Sequence, residues 1–237
     1  MNPDILRRLA TISTATVSMQ LLKRGLRNCF IRGARPLNAA HCRFAAQAYT
    51  LRFIPMREDL SRVEVLGDPE YPPRKAVEDI PPGMVLVIDA RGDLGAGVIG
   101  DILATRLQER GVAAVVSDGP VRDAAEVAGG RLPVFCAGGA APASLNVHFG
   151  ADLQCPIACG GVAVIPGDVL VGDSDGVVVV PAALAAEVAD DGAEQERLEY
   201  FLKQRVATGH PTIGTYPPNP ETLQAYEDWK NTDPNAR

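Results

Sequence analysis

Aromatic side chains make up only 5 % of this 237-residue sequence, few for the stacking surfaces on which single-stranded nucleic acids are held. Positive charge is short as well. The 29 Asp and Glu outnumber the 23 Lys and Arg, giving a net charge of -6. A phosphate-backbone partner needs clustered cations, so nucleic acid is not expected. No apolar run reaches the ~18 residues that span a membrane, and no long apolar stretch suits a secretory signal. Arg7 and Arg8, among Ser and Thr near the N-terminus, read as part of a first helix rather than a transit peptide. A cytoplasmic protein without membrane contact is the expectation. Five cysteines without a secretory signal read as reduced thiols. Cys155 and Cys159 have no second Cys or His pair nearby and read as small core residues rather than metal ligands. His41, His148 and His210 are scattered, with no partner at metal-ligand spacing. His148 falls in SLNVHFGAD, which reads as a loop able to face a site. No Walker A run occurs.

What the sequence does hold is Ala, Val and Gly, with 46 % apolar residues, a composition suited to an α/β or α+β enzyme. Residues 3–24 carry apolar side chains at helical spacing, either as one helix or with Ser13 or Thr14 capping a second one. Residues 42–54 read as a strand. The stretch 67–82 holds five prolines and reads as a loop with a short turn. MVLVIDA (84–90), VAAVVSDG (112–119) and LPVFCAGG (132–139) read as buried strands, separated by the helix-like DILATRLQERG and a short helix in VRDAAEVAGG. That alternation predicts parallel βαβ units. Residues 151–180 hold short β-like runs split by Pro166-Gly167-Asp168 and Asp173-Ser174-Asp175-Gly176, which predict antiparallel hairpins. A helix is expected over about 182–207, then a Pro-rich tail. One domain over 1–237 is expected, with a helical segment at 1–40. The tail, 209–237, keeps Ile213, Tyr216, Leu223, Tyr226 and Trp229, so it is expected to pack at a subunit interface.

Two loops stand out because both leave the C-terminal ends of predicted parallel strands, where open α/β sheets bind ligands. The first is Gly95-Ala-Gly-Val-Ile-Gly100-Asp101. Unpaired N–H groups at a helix start attract an anion, and glycine lets it come close. The run formally fits the dinucleotide fingerprint, but Asp101 directly after the last glycine would repel a pyrophosphate. The second loop is Ser117-Asp118-Gly119-Pro120-Val121-Arg122-Asp123. Its Arg can fork onto a carboxylate, and its Asp can hold a hard cation that keeps several waters.

Gly100-Asp101-Ile-Leu-Ala, with Asp118-Gly-Pro-Val-Arg-Asp123 placing Arg122 22 residues after Gly100, resembles the signature of the 4-hydroxy-4-methyl-2-oxoglutarate aldolases. That family also includes oxaloacetate decarboxylases and the regulator of ribonuclease E activity A. Gly161 to Asp168 and Asp173 to Pro181 extend the likeness, over roughly 60–190. Gly119-Pro120 departs from the more usual small pair, and the N-terminal segment and the tail after about Ala207 exceed the short ribonuclease regulators. The resemblance implies an α/β fold, a swivelling β/β/α sandwich of mixed parallel and antiparallel strands, assembled as homotrimers or homohexamers with sites near subunit boundaries. By position it implies that Gly100, Asp101, Ile102 and Leu103 hold substrate through backbone amides. Arg122 would contact the 2-oxo acid, Asp123 would anchor Mg²⁺ or Mn²⁺, and Asp101 would orient a water. The activity implied is a metal-dependent lyase giving pyruvate, as aldolase or decarboxylase. No lysine lies between Lys75 and Lys203, consistent with chemistry that needs no Schiff base. A protein-binding regulator of ribonuclease activity, or a same-fold enzyme acting on another sugar-derived 2-oxo acid, are the alternatives.

Overall fold

The computed structural model describes residues 1–232. The chain opens with two helices, α1 (Pro3–Leu9) and α2 (Thr14–Lys23). The break between them falls where Ser13, in extended conformation, accepts a hydrogen bond from Thr16 N, satisfying a donor that a helix start leaves free. β1 (Arg35–Pro36), β2 (Phe44–Pro55), α3 (Pro72–Asp79) and β3 (Val85–Asp89) follow. Next come α4 (Asp101–Glu109), β4 (Ala114–Ser117), α5 (Ala124–Gly129) and β5 (Val134–Cys136). The second half supplies β6 (His148–Leu153), β7 (Ile157–Cys159), β8 (Val162–Val164), β9 (Val169–Asp173) and β10 (Gly176–Val180), then α6 (Ala185–Ala207) and α7 (Pro220–Thr232).

The main sheet runs β1-β5-β4-β3-β2-β9-β10, with β6 also on β2. β2, β3, β4 and β5 are parallel neighbours joined through α3, α4 and α5, the crossover arrangement that covers a parallel sheet. β9 and β10 form an antiparallel hairpin. β2 divides one edge between β9 at its start and β6 at its end. Strand alternation sorts side chains into layers. Leu86 and Ile88 face α3 and α4 with Val77, Ile80 and Leu107. Val85 and Val87 face the other way, onto Ile157, Val164, Leu170 and Val179 of the β7–β8 and β9–β10 hairpins. Val169, Val171, Val178 and Val180 turn outward again, under Leu9, Val17, Leu21 and Val188 of α1, α2 and α6. The mixed parallel and antiparallel α/β sandwich expected from the sequence is the fold observed.

Three expectations need correction. The proline-rich stretch 67–82 contains α3, because Pro72 and Pro73 occupy the first helical positions, where a missing N–H costs nothing. The tail contains α7, capped by Asn219 Oδ1, which accepts from Thr222 N at 2.9 Å. Tyr226 and Trp229 pack their rings on Phe201 of the same chain, with centroids 5.5 Å away in each case. Ile213 remains 90 % exposed and Tyr216 61 %. Third, His148 lies in strand β6 and is fully buried, not on a loop. Residues 233–237 of the tail lie outside the described residues. Among the described residues no helix is long and apolar enough to cross a membrane.

Candidate active site

β3 ends in Asp89 and β4 is followed directly by Asp118, and these acids hold the loops after the strands. The Asp118 carboxylate is buried and accepts from Ala90 N (2.7 Å), Gly92 N (3.0 Å) and Gly160 N (3.2 Å). Burial pushes its carboxyl above the usual range, while those N–H groups pull it back. Asp89 accepts from Arg91 N and Ala158 N. Sequence reasoning placed Asp118 in the second loop without a role of its own. An acid closing each of two all-apolar strands was the available signal of a strut.

Beyond these struts the loops run side by side. Val98 N donates to Pro120 O at 2.9 Å and Arg122 N to Ile99 O at 2.8 Å. The loop after β5 joins them, through Gly97 N to Pro142 O (3.0 Å) and Val121 N to Gly138 O (2.9 Å). The sheet is thus continued past its strand ends by hydrogen-bonded loop backbone. Gly97 accounts for the closeness. A Cβ there would lie 2.5 Å from Arg122 N. Its neighbour is another loop, which explains the fingerprint-like glycines without a pyrophosphate.

This zipper brings the expected residues into one cleft of about 280 Å³, lined by Gly97 to Leu103, Arg122, Asp123, Leu66, Arg74, Ala143 and Ser144. Gly100 is the extended N-cap of α4 and no side chain caps it. The first-turn N–H groups of a helix have no intrahelical partner. One of them, Ile102 N, is taken by Asp101 Oδ1 at 2.8 Å. Asp123 precedes α5 in left-handed conformation (φ 53°, ψ 42°), and its side chain does not cap that helix. A non-glycine residue held there is strained by about 1 kcal/mol. Asp123 points instead across the cleft, with Oδ2 2.9 Å from where a Cβ on Gly100 would sit. Arg122 is exposed and forms no ion pair with a described residue. Leu66, Arg74, Ala143 and Ser144 were missed by sequence reasoning.

Among the described residues no group of three or more His, Cys, Asp and Glu is placed to enclose a metal ion. The donor set suits a different kind of site. Mg²⁺ keeps several waters and takes one or two carboxylates plus substrate oxygens. A carboxylate released from capping, in a niche that a Gly100 side chain would fill, fits that need. Cys159 is buried and its thiol is pushed well up, first by burial and then by Asp118 and Asp89. That agrees with a core residue rather than a metal ligand.

His148 belongs to the support of the site. Its ring lies 5.1 Å from that of Phe53, and its Nδ1 is 3.1 Å from an Arg91 guanidinium nitrogen. Its Nε2 is buried without a hydrogen-bond partner. Burial, then the charge of Arg91, pushes its pKa down to about 4. The folded state therefore keeps His148 neutral, while the unfolded chain protonates it near pH ~6.5. Its contribution is whole above that value and is lost as pH falls through about 4. Denaturant melts across this window should show stability falling with pH, and His148→Phe should flatten the slope. An unchanged slope would remove His148 as the cause.

Fold and site together define a mixed α/β protein whose βα loops form a small cleft with a guanidinium, carboxylates and a helix start. The chain belongs to the RraA-like family (Aldolase/RraA), which it matches over residues 10–179. It is 35 % identical, over 60 % of its length and 67 % of the relative's, to a protein of Halalkalibacterium halodurans named "Putative 4-hydroxy-4-methyl-2-oxoglutarate aldolase". Among solved structures it is similar to Streptomyces coelicolor RraAS2, described as an unusual member of the RNase ES inhibitor RraA protein family. The TM-score is 0.76 at 34 % identity, covering 85 % of this chain and 98 % of that one. An uncharacterized protein from Pseudomonas syringae pv. tomato shares the fold, with TM-score 0.80 at 24 % identity over 91 % and 94 % of the two chains.

Proposed function

We propose that this protein is a divalent-metal-dependent lyase that cleaves a C–C bond of a 2-oxo acid and releases pyruvate. The observation that carries the reading is the placement of Asp123, uncapped and strained, opposite the entrance of α4 and beside Arg122. In this reading the substrate carboxylate sits at Gly100 to Leu103, where the helix start and its dipole favour an anion. Arg122 forks onto the 2-oxo acid. Asp123 would hold Mg²⁺ or Mn²⁺, which when bound would supply Lewis-acid polarisation of the 2-oxo group. For an aldol substrate the water oriented by Asp101 accepts the 4-hydroxyl proton, the C3–C4 bond breaks and C4 becomes the carbonyl of the second product. For oxaloacetate the same carbon loses CO₂. In both cases the electron pair left on C3 spreads into the 2-oxo group, where Arg122 stabilises the developing charge. A water oriented by Asp101 returns a proton to C3.

The reading is tested by pyruvate release from 4-hydroxy-4-methyl-2-oxoglutarate and from oxaloacetate, with Mg²⁺ and with EDTA. Turnover that EDTA abolishes and Mg²⁺ restores is the expected result. No metal-dependent turnover on either would remove both substrates. The assembly proposed with this function is a homotrimer or homohexamer, read as a solution mass of three or six chains. The exposed Ile213 and Tyr216 of the tail are candidates for its interface. A second reading, a protein-binding regulator of a ribonuclease, is favoured by the likeness to RraAS2. Inhibition of a ribonuclease E-type enzyme by this chain would support it, and absence of any effect on cleavage would dismiss it.

A further inference from the structure

We infer that Arg74 sets the specificity of the cleft by binding a second carboxylate at the far end of the substrate. The inference rests on the lyase reading for the near end of the same molecule.

Arg74 sits on α3, the helix hidden among prolines, and lines the cleft that also holds Arg122 and Asp123. It is half-buried and forms no ion pair with a described residue. Its neighbours on α3 differ. Lys75 pairs with Glu70 at 3.0 Å and Asp79 at 3.3 Å. Glu78 stands four residues after Arg74, the spacing at which helix ion pairs form. Yet the Glu78 carboxylate goes to Arg106 at 2.7 Å and Arg110 at 3.8 Å. The local acids are thus committed elsewhere, and the Arg74 guanidinium is left available at the cleft. A planar fork of donors in that state is complementary to a carboxylate.

The surroundings fix where that carboxylate ends. Leu66, Arg74 and Leu103 line both this cleft and a neighbouring hollow that holds Asp68, Glu70, Glu78 and Asp79. Past Arg74 the hollow offers no free cation, since its Lys75 is shared by Glu70 and Asp79 while Glu78 is held by Arg106. The two leucines flank the boundary and offer apolar contact to the middle of the ligand. The cleft therefore has one cation, Arg122, beside Asp123 and a second, Arg74, at its boundary with the hollow, where the two leucines also lie. A short 2-oxo diacid matches this order; a 2-oxo monoacid leaves Arg74 without its counter-charge.

The experiment compares wild type, Arg74→Ala and Arg74→Lys on 4-hydroxy-4-methyl-2-oxoglutarate and on the monoacid 4-hydroxy-2-oxopentanoate. The ratio of kcat/KM for diacid over monoacid should fall roughly 10- to 100-fold in Arg74→Ala, chiefly through KM for the diacid, as loss of a charged hydrogen-bonded contact does. Arg74→Lys should recover part of the ratio. An unchanged ratio would overturn the inference even if the enzyme is active. Should wild type turn over neither compound, the lyase reading fails by itself, and unfolding temperatures then decide. The inference stands if 2-oxoglutarate stabilises wild type more than 2-oxobutyrate does while Arg74→Ala shows no such difference. It falls if the two ligands act alike on wild type.

Discussion

Asp123→Asn should leave the protein folded and lower kcat/KM for a 2-oxo acid by about 10³-fold, the equivalent of ~4 kcal/mol of lost charge stabilisation. The two halves of this expectation rest on different observations. Stability is spared because the Asp123 side chain makes no capping bond to α5, so little is lost with its charge. Asn tolerates the left-handed conformation about as well as Asp does, and the change should stay within about 0.5 kcal/mol. Activity is not spared, because an amide is a poor ligand for a hard cation in place of a carboxylate. Alanine is the worse probe. At φ 53° it would add strain of about 1–2 kcal/mol and mix a folding defect with the chemical one. Steady-state kinetics beside thermal unfolding separate the two. A variant with normal unfolding and full turnover would remove Asp123 from the proposed mechanism.

The sequence showed the part of this molecule written in local chemistry. β3 and β4 were legible because strands buried on both faces are nearly all apolar. The loops after them were legible because glycines and acids punctuate strand ends. Arg122 and Asp123 were found by adjacency, and the cleft brings them together with Gly100 to Leu103 as expected. What stayed hidden depends on long-range contact. Pro72 and Pro73 look like helix breakers until their position at the start of α3 is known, and with that helix went Arg74. His148 looked like a loop residue because its neighbours are mixed; pairing of β6 with the end of β2 is what buries it. α7 was masked by the prolines before it, and its aromatic contacts with α6 join residues about 25 apart, beyond the reach of helical periodicity.

Gly97→Ala should lower stability and activity together, unlike Asp123→Asn. Gly97 needs no unusual backbone dihedral, so the substitution acts through space alone. Its new Cβ would meet Arg122 N at 2.5 Å, Arg122 Cγ at 2.6 Å and the Val121 carbonyl carbon at 2.7 Å. Two of these three are backbone atoms held by the bonds that zip the loops, Arg122 N to Ile99 O and Val121 N to Gly138 O. They cannot rotate away as a side-chain tip can. Overpacking of this kind costs about 1–3 kcal/mol, and relief by parting the loops carries Arg122 and Asp123 away from α4. A displacement near 1 Å in such a site costs ~10²-fold in rate. Gly100→Ala provides the contrast, since its nearest contact is the mobile Asp123 Oδ2 at 2.9 Å; it should disturb the site while leaving unfolding close to normal. Thermal unfolding and kcat/KM measured on both variants test this. A Gly97→Ala protein as stable and as active as wild type would mean that the two loops are not the rigid frame on which the Arg122–Asp123 pair depends.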